Sequence, residues 1–238
     1  MKKILLLLIT FSFLTSHLFA DEDKVRMRPR DRFIFDMFID VWQNTPEKMD
    51  LEIFNRGVNI ALLQDFPLGY SNFSIATGLS FTSHNLYSDH FYKYSIDDNG
   101  YDFKPIDKEL SYDNNKISLN YIDVPVEFRF RTRPSRDMPH PFRVAVGAKF
   151  GYKVQAHTKY VGEYYLDDNN ANNALETREV KFKEHNLNNI ESWRYGIMAR
   201  IGYGYFNITG YYPLTNIFED NIGEEMRPIS IGLSFIIN

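Results

Sequence analysis

From Phe142 to Ala156 every even position is apolar or aromatic: Phe142, Val144, Val146, Ala148, Phe150, Tyr152, Val154 and Ala156. The odd positions carry Arg143, Ala145, Gly147, Lys149, Gly151, Lys153 and Gln155. Period two is the mark of a strand with one apolar and one polar face. This strand is long, because soluble strands usually run five or six residues. The pattern recurs in seven further segments. Phe33, Phe35, Met37, Ile39 and Val41 define the first. Val58, Ile60 and Leu62 define the second, and Phe73, Ile75, Thr77, Leu79 and Phe81 the third. The fourth spans 117–131. The stretch from Phe142 is the fifth. Trp193 to Tyr203, Phe206 to Leu214 and Ile229 to Ile237 supply the last three. In the fourth segment the apolar set runs Ile117, Leu119, Tyr121, then shifts to Ile122, Val124, Val126, Phe128 and Phe130. A one-residue slip flips faces, so this reading expects a β-bulge near Tyr121–Ile122.

The connections sort into two kinds. After strands two, four and six they are short: Pro67–Asn72, Thr132–Pro141 and a turn at Gly204. After strands one, three, five and seven they are longer: Gln43–Leu51, Leu86–Lys116, Thr158–Ile190 and Ile217–Arg227. In an up-and-down meander alternate connections emerge at one end. Short turns at one end and long loops at the other are the plan of outer-membrane barrels. A tilted strand needs about 9–11 residues to cross the hydrocarbon layer. Closure is required, since an open edge in lipid leaves backbone groups unpaired. The fold expected is therefore all-β: an eight-stranded antiparallel up-and-down transmembrane β-barrel over 33–238, with an N-terminal signal peptide.

The rival is a soluble barrel or sandwich, with its apolar face turned inward. Two features weigh against it. The polar face is rich in small residues (Gly78, Gly147, Gly151, Gly196, Gly202, Gly232), as a crowded interior requires. The apolar face is aromatic near strand ends, at Phe73, Tyr121, Phe142, Tyr152, Trp193, Tyr195, Tyr203, Phe206 and Tyr212. Interfacial girdles produce that distribution.

The chain start points to export. Lys2 and Lys3 precede an apolar run from Ile4 to Leu14, and SHLFA leads to Asp21. This is the layout of a signal peptide cleaved after Ala20. Residues 21–32 form a basic periplasmic leader carrying Lys24, Arg26, Arg28, Arg30 and Arg32. Without Lys2 and Lys3 the net charge falls from −4 to about −6, which does not favour nucleic acid. There is no cysteine, so disulfides, thiolate chemistry and a lipidated cysteine are excluded. No later apolar run approaches the roughly 18 residues of a spanning helix, a test that does not bear on strands.

At Tyr121–Pro125 (YIDVP), continued by Val126–Arg131, the chain resembles the PorT-like outer-membrane β-barrel family of Bacteroidetes. FRVAVGAKFGY at Phe142–Tyr152 and SIGLSF at Ser230–Phe235 are similar to its Gly-containing strand and its usual ending. The resemblance implies a porin-like barrel domain in the cell outer membrane over nearly the whole mature chain. A founding role in protein secretion does not transfer on fold alone. The resemblance brings no catalytic residues.

On the polar face stand the acids Asp36, Asp40, Asp65, Asp123 and Glu127. The bases are Arg129, Arg131, Arg143, Lys149, Lys153, Arg194 and Arg200. Charges in a narrow interior must be paired or hydrated. The candidate functional constellation is thus a lumen charge network of Asp123, Glu127, Arg129, Arg143, Lys149, Lys153, Arg194 and Arg200. Asp123 and Glu127 are expected to pair across strands with Lys149 and Lys153.

Catalytic and metal chemistry find little support. Ser83 and His84 are adjacent and so face opposite ways on a strand, which separates nucleophile from base. Asp97-Asp98-Asn99-Gly100 resembles part of a calcium loop, but the terminal position falls on Ile106 where a bidentate Glu is needed. An Asn-Gly hairpin turn accounts for it. No cofactor is expected. The long loops at 86–116 and 158–190 are rich in Tyr, Asn, Asp and Lys, suited to polar recognition. The leading reading is a non-enzymatic barrel with an accessory or structural envelope role. Its partners are outer-membrane lipid and, through the loops, envelope or secretion proteins. A small porin-like conduit is the second reading and an outer-leaflet lipid-modifying enzyme the third.

Overall fold

The computed structural model describes residues 33–46, 49–52, 54–95, 100–165, 177–185, 187, 189–219 and 225–237. The expected signal peptide, the basic leader and the turn at 97–99 lie outside the described residues. Eleven strands follow in order. They are β1 (Phe33–Gln43), β2 (Arg56–Pro67), β3 (Phe73–Tyr87), β4 (His90–Ser95), β5 (Gly100–Pro105) and β6 (Tyr112–Arg131). Then come β7 (Phe142–Tyr165), β8 (Thr177–His185), β9 (Trp193–Tyr203), β10 (Phe206–Pro213) and β11 (Arg227–Ile237).

Eight of these close a ring. Its order is β6-β3-β2-β1-β11-β10-β9-β7, and β6 pairs with β7 to complete it. All pairings are antiparallel, with β1 and β11 in register from Phe33↔Ile237 to Gln43↔Arg227. The eight correspond to the eight segments read from the alternation. The outward face of the band is apolar: Val146 is 52% exposed, Phe150 55% and Ile197 54%. Charged residues fill the inward face, where Asp123 is 0% and Glu127 1% exposed. This inversion of the soluble rule is what lipid outside and a sealed polar interior require.

The connections at the long-loop end are largely strand. β3, β6 and β7 rise above the apolar band, and β8 pairs with the upper half of β7 from His157↔His185 to Tyr165↔Thr177. The β4–β5 hairpin covers the inner side of this extension. Phe91 packs on Tyr160 with ring centroids 4.8 Å apart, within a cluster that includes Ile106 and Leu110. The ranges 86–116 and 158–190, read as loops, therefore contain all of β4, β5 and β8 and the upper ends of β3, β6 and β7. A solvated hairpin pays its backbone hydrogen bonds internally, so strand continuation is the lower-energy course.

The expected bulge is real but sits on the other strand. The β6–β7 register shifts between Asn120 and Tyr121, opposite Gln155 and Lys153, leaving Val154 as the extra residue. β6 itself keeps one phase against β3 throughout. Tyr121 is buried with Ile117 and Leu119, not lipid-facing as the girdle reading held. The apparent slip in β6 marks the edge of the membrane band. Above it the extension stands in water, so its inside is apolar. On β7 that inversion and the bulge cancel: Val154 faces outward, Ala156 packs inside, and the written alternation looks unbroken.

Candidate functional site

Side chains fill most of the lumen, leaving small cavities beside Asn59 and Lys149 and beside Arg143 and Asn207. At the short-turn end Ile34, Ala61, Leu63 and Ile236 form an apolar cluster. At the long-loop end Trp42, Leu86, Leu119, Tyr121, Ile190, Phe218 and Met226 belong to a larger one. Between them lies a chain of polar contacts.

The chain starts at Asp40, whose carboxylate accepts from Ser230 Oγ at 2.6 Å and meets His84 Nδ1 at 2.9 Å. His84 Nε2 lies 2.6 Å from Arg194 Nη1. Since guanidinium only donates, that nitrogen accepts and the Nδ1–H faces Asp40. Arg194 donates from Nε and Nη2 to the two oxygens of Asp123, at 2.8 and 2.7 Å. Its guanidinium lies 3.9 Å from the Tyr121 ring centroid. Thr82 Oγ1 donates to Asp123 at 2.6 Å and lies 2.7 Å from Asn59 Oδ1. Asn59 donates to Asp36 at 2.7 Å. Arg200 joins Asp36, at 3.4 Å, to Glu127, at 2.9 Å. Arg129 donates to Glu127 at 2.7 Å and lies 3.6 Å from Asp65.

The register explains why these groups meet. Asp123, Gly151 and Arg194 lie in one cross-strand row on β6, β7 and β9. Gly151 has no side chain, so the carboxylate and guanidinium close over it. A Cβ there would strike Asp123 and Arg194. Gly147, beside Glu127 in the next such position, would likewise meet the β6 backbone.

The expected members divide. Asp123, Glu127, Arg129, Arg194 and Arg200 form the network. Lys149 is buried, but its ammonium donates to Asn59 at 3.4 Å and lies over the Tyr211 ring, not on a carboxylate. Lys153 stands apart at the rim and donates to the Ile190 carbonyl. Arg143, near the short-turn end, donates to the Gly204 carbonyl. The expected pairing of Asp123 and Glu127 with Lys149 and Lys153 is thus corrected: arginines take both acids. A planar fork can satisfy two carboxylate oxygens at once, which an ammonium cannot. Sequence reasoning missed His84, Asn59, Thr82 and Ser230 as network members. Their inward parity was the available sign.

The network pairs the buried carboxylates of Asp123 and Glu127 with arginines. Ser83 faces outward while His84 faces in, so they form no nucleophile–base pair. Both His84 ring nitrogens have partners. Among the described residues, five buried carboxylates face six inward cations (Arg129, Arg131, Arg143, Lys149, Arg194, Arg200), so their charges nearly balance.

A family model described as outer membrane protein beta-barrel domain matches residues 22–219. The chain belongs to this family, and it is an integral outer-membrane β-barrel protein. Neither a curated protein nor a solved structure matches it.

Proposed function

We propose that this barrel is a non-enzymatic accessory component of the envelope, acting through the extension at its long-loop end. Its finer kinship is with PorT-like barrels, on the YIDVP and SIGLSF strands. In this reading the long-loop end faces outward from the cell and both ends of the barrel chain lie on the periplasmic side. The observation that carries the reading is the largely filled interior. Ion pairs linked by hydrogen bonds, lying between two apolar clusters, leave no open path for solute, so function moves to surfaces. The extension offers exposed Tyr, Asp and Arg side chains on short hairpins, a composition suited to contacting envelope or secretion proteins.

Two measurements test it. Purified protein in planar bilayers is expected to give no stepwise current, and reproducible steps would overturn the closed-barrel role. Photo-crosslinking residues placed at Asp102 and Arg178 are expected to capture envelope proteins in cells. Silence at both positions, with capture from the periplasmic turns instead, would put the working surface at the wrong end.

A further inference from the structure

The outer face of the extension carries polar and basic side chains in two stacked rows. The lower row runs Arg56, Asn85, Ser118, His157 and His185 across β2, β3, β6, β7 and β8. Arg56 and Asn85 are joined by a hydrogen bond from the Asn85 amide to the Arg56 carbonyl at 2.9 Å. Directly above, Lys116, Lys159 and Lys183 stand side by side on β6, β7 and β8. Like charges opposite one another on neighbouring strands are destabilising. Here three are aligned, and among the described residues none of them makes an ion pair. Lys116 donates to Asn85 at 2.9 Å and to the Tyr87 hydroxyl at 3.5 Å, and lies 5.2 Å from the Tyr87 ring centroid. At the centre His157 is 8% exposed, and its Nδ1 is buried with no hydrogen-bond partner. Three aligned lysines around this uncharged centre, with no ion-pair partner among the described residues, are arranged for an anion.

The height of the rows selects the source. Ile122, Tyr152 and Trp193 mark the top of the lipid-facing band, with Tyr152 and Trp193 rings 4.9 Å apart. Ser118 is two outward positions above Ile122 on β6. At about 3.3 Å per residue and a strand tilt near 45°, that is roughly 9 Å of vertical rise. Headgroups occupy this layer, and lysine stems one step higher reach down into it.

We propose that this face binds the phosphate groups of anionic lipid in the outer leaflet, with Lys116, Lys159 and Lys183 supplying the charge around His157. The assignment of leaflet rests on the orientation proposed above; the anion site does not. The phosphates relieve the lysine repulsion, and the lipid chains continue down the Tyr152–Trp193 face.

The test uses the full chain folded in detergent, with native mass spectrometry of retained lipid. Wild type is expected to keep diphosphorylated lipid A and phosphatidylglycerol in preference to phosphatidylcholine. Each Lys→Gln change should weaken that preference about fivefold, the effect of one cation near a charged surface. Millimolar inorganic phosphate should not compete. Equal retention of charged and zwitterionic lipid by wild type would overturn the proposal. Competition by inorganic phosphate would overturn the lipid source and leave a free-anion site. Should the Lys→Gln variants fail to fold, the wild-type His157 imidazole decides: its NMR titration must move upward when phosphatidylglycerol is added, and an unmoved titration contradicts the site. A failure here leaves the closed-barrel reading standing, because current through bilayers does not depend on these lysines.

Discussion

Arg194 on β9 reaches over Gly151 to hold both carboxylate oxygens of Asp123 on β6, at 2.8 and 2.7 Å. The contact exists because the strand between them contributes no side chain in that row. Gly151→Ala should therefore force the pair apart. Overpacking of this kind costs about 1–3 kcal/mol, read as a lower urea midpoint for folding into lipid vesicles. An unchanged midpoint would mean that the row has slack.

Removing one partner should hurt more than removing both. Arg194→Met leaves Asp123 buried and unpaired, a loss of about 3–5 kcal/mol. Adding Asp123→Leu should restore much of it, since an apolar pair of similar volume tolerates burial. A double-mutant cycle checks this, and additive losses would contradict the coupling.

His157 should titrate far below ordinary histidine. Burial lowers its pKa first, and Lys183, His185, Lys116 and Lys159 add repulsion, taking it down to about 4. With the folded value below the unfolded 6.5, the unfolded form binds more protons between those limits. The extension is therefore most stable above pH 6.5 and loses stability as pH falls through 6.5 toward 4. Imidazole NMR and hydrogen exchange across β7 and β8 check this. A titration near 6.5 would contradict the packing around the ring.

Deleting Val154 should remove the β7 bulge and leave every residue above it on its present face, because Gln155, already paired with Asn120, then follows Lys153 in plain alternation. Ala156, Thr158 and Tyr160 should stay inside, and His157 and Lys159 outside. Limited proteolysis should show the extension as well protected as in the wild type. Protease sensitivity confined to the extension would contradict this register.

The same bulge explains how far the sequence could be read. Eight barrel strands were legible, because lipid outside and polar lumen inside write themselves as strict alternation. The change of environment at the membrane edge was not. On β6 it appeared as a slip at Tyr121–Ile122 and suggested a bulge there. On β7 a true bulge cancelled it and left no trace. Inward parity likewise named Asp123, Glu127 and the arginines, but not who pairs with whom. Asp123 meets Arg194 and not Lys149 because a glycine row and a bidentate fork decide it, and both belong to the closed ring. Lys153 was placed by parity in the network, yet its position beside the bulge carries it to the rim and the Ile190 carbonyl.

The central claim is that the apolar outward band, with Phe150 and Ile197 more than half exposed, meets lipid in a closed ring. Cell fractionation followed by gels of heated and unheated samples tests it most directly. Recovery is expected in the outer-membrane fraction, with a mobility that shifts on heating, because the closed β6–β7 seam resists detergent until it is boiled. Recovery in the soluble periplasm with a single mobility would contradict it.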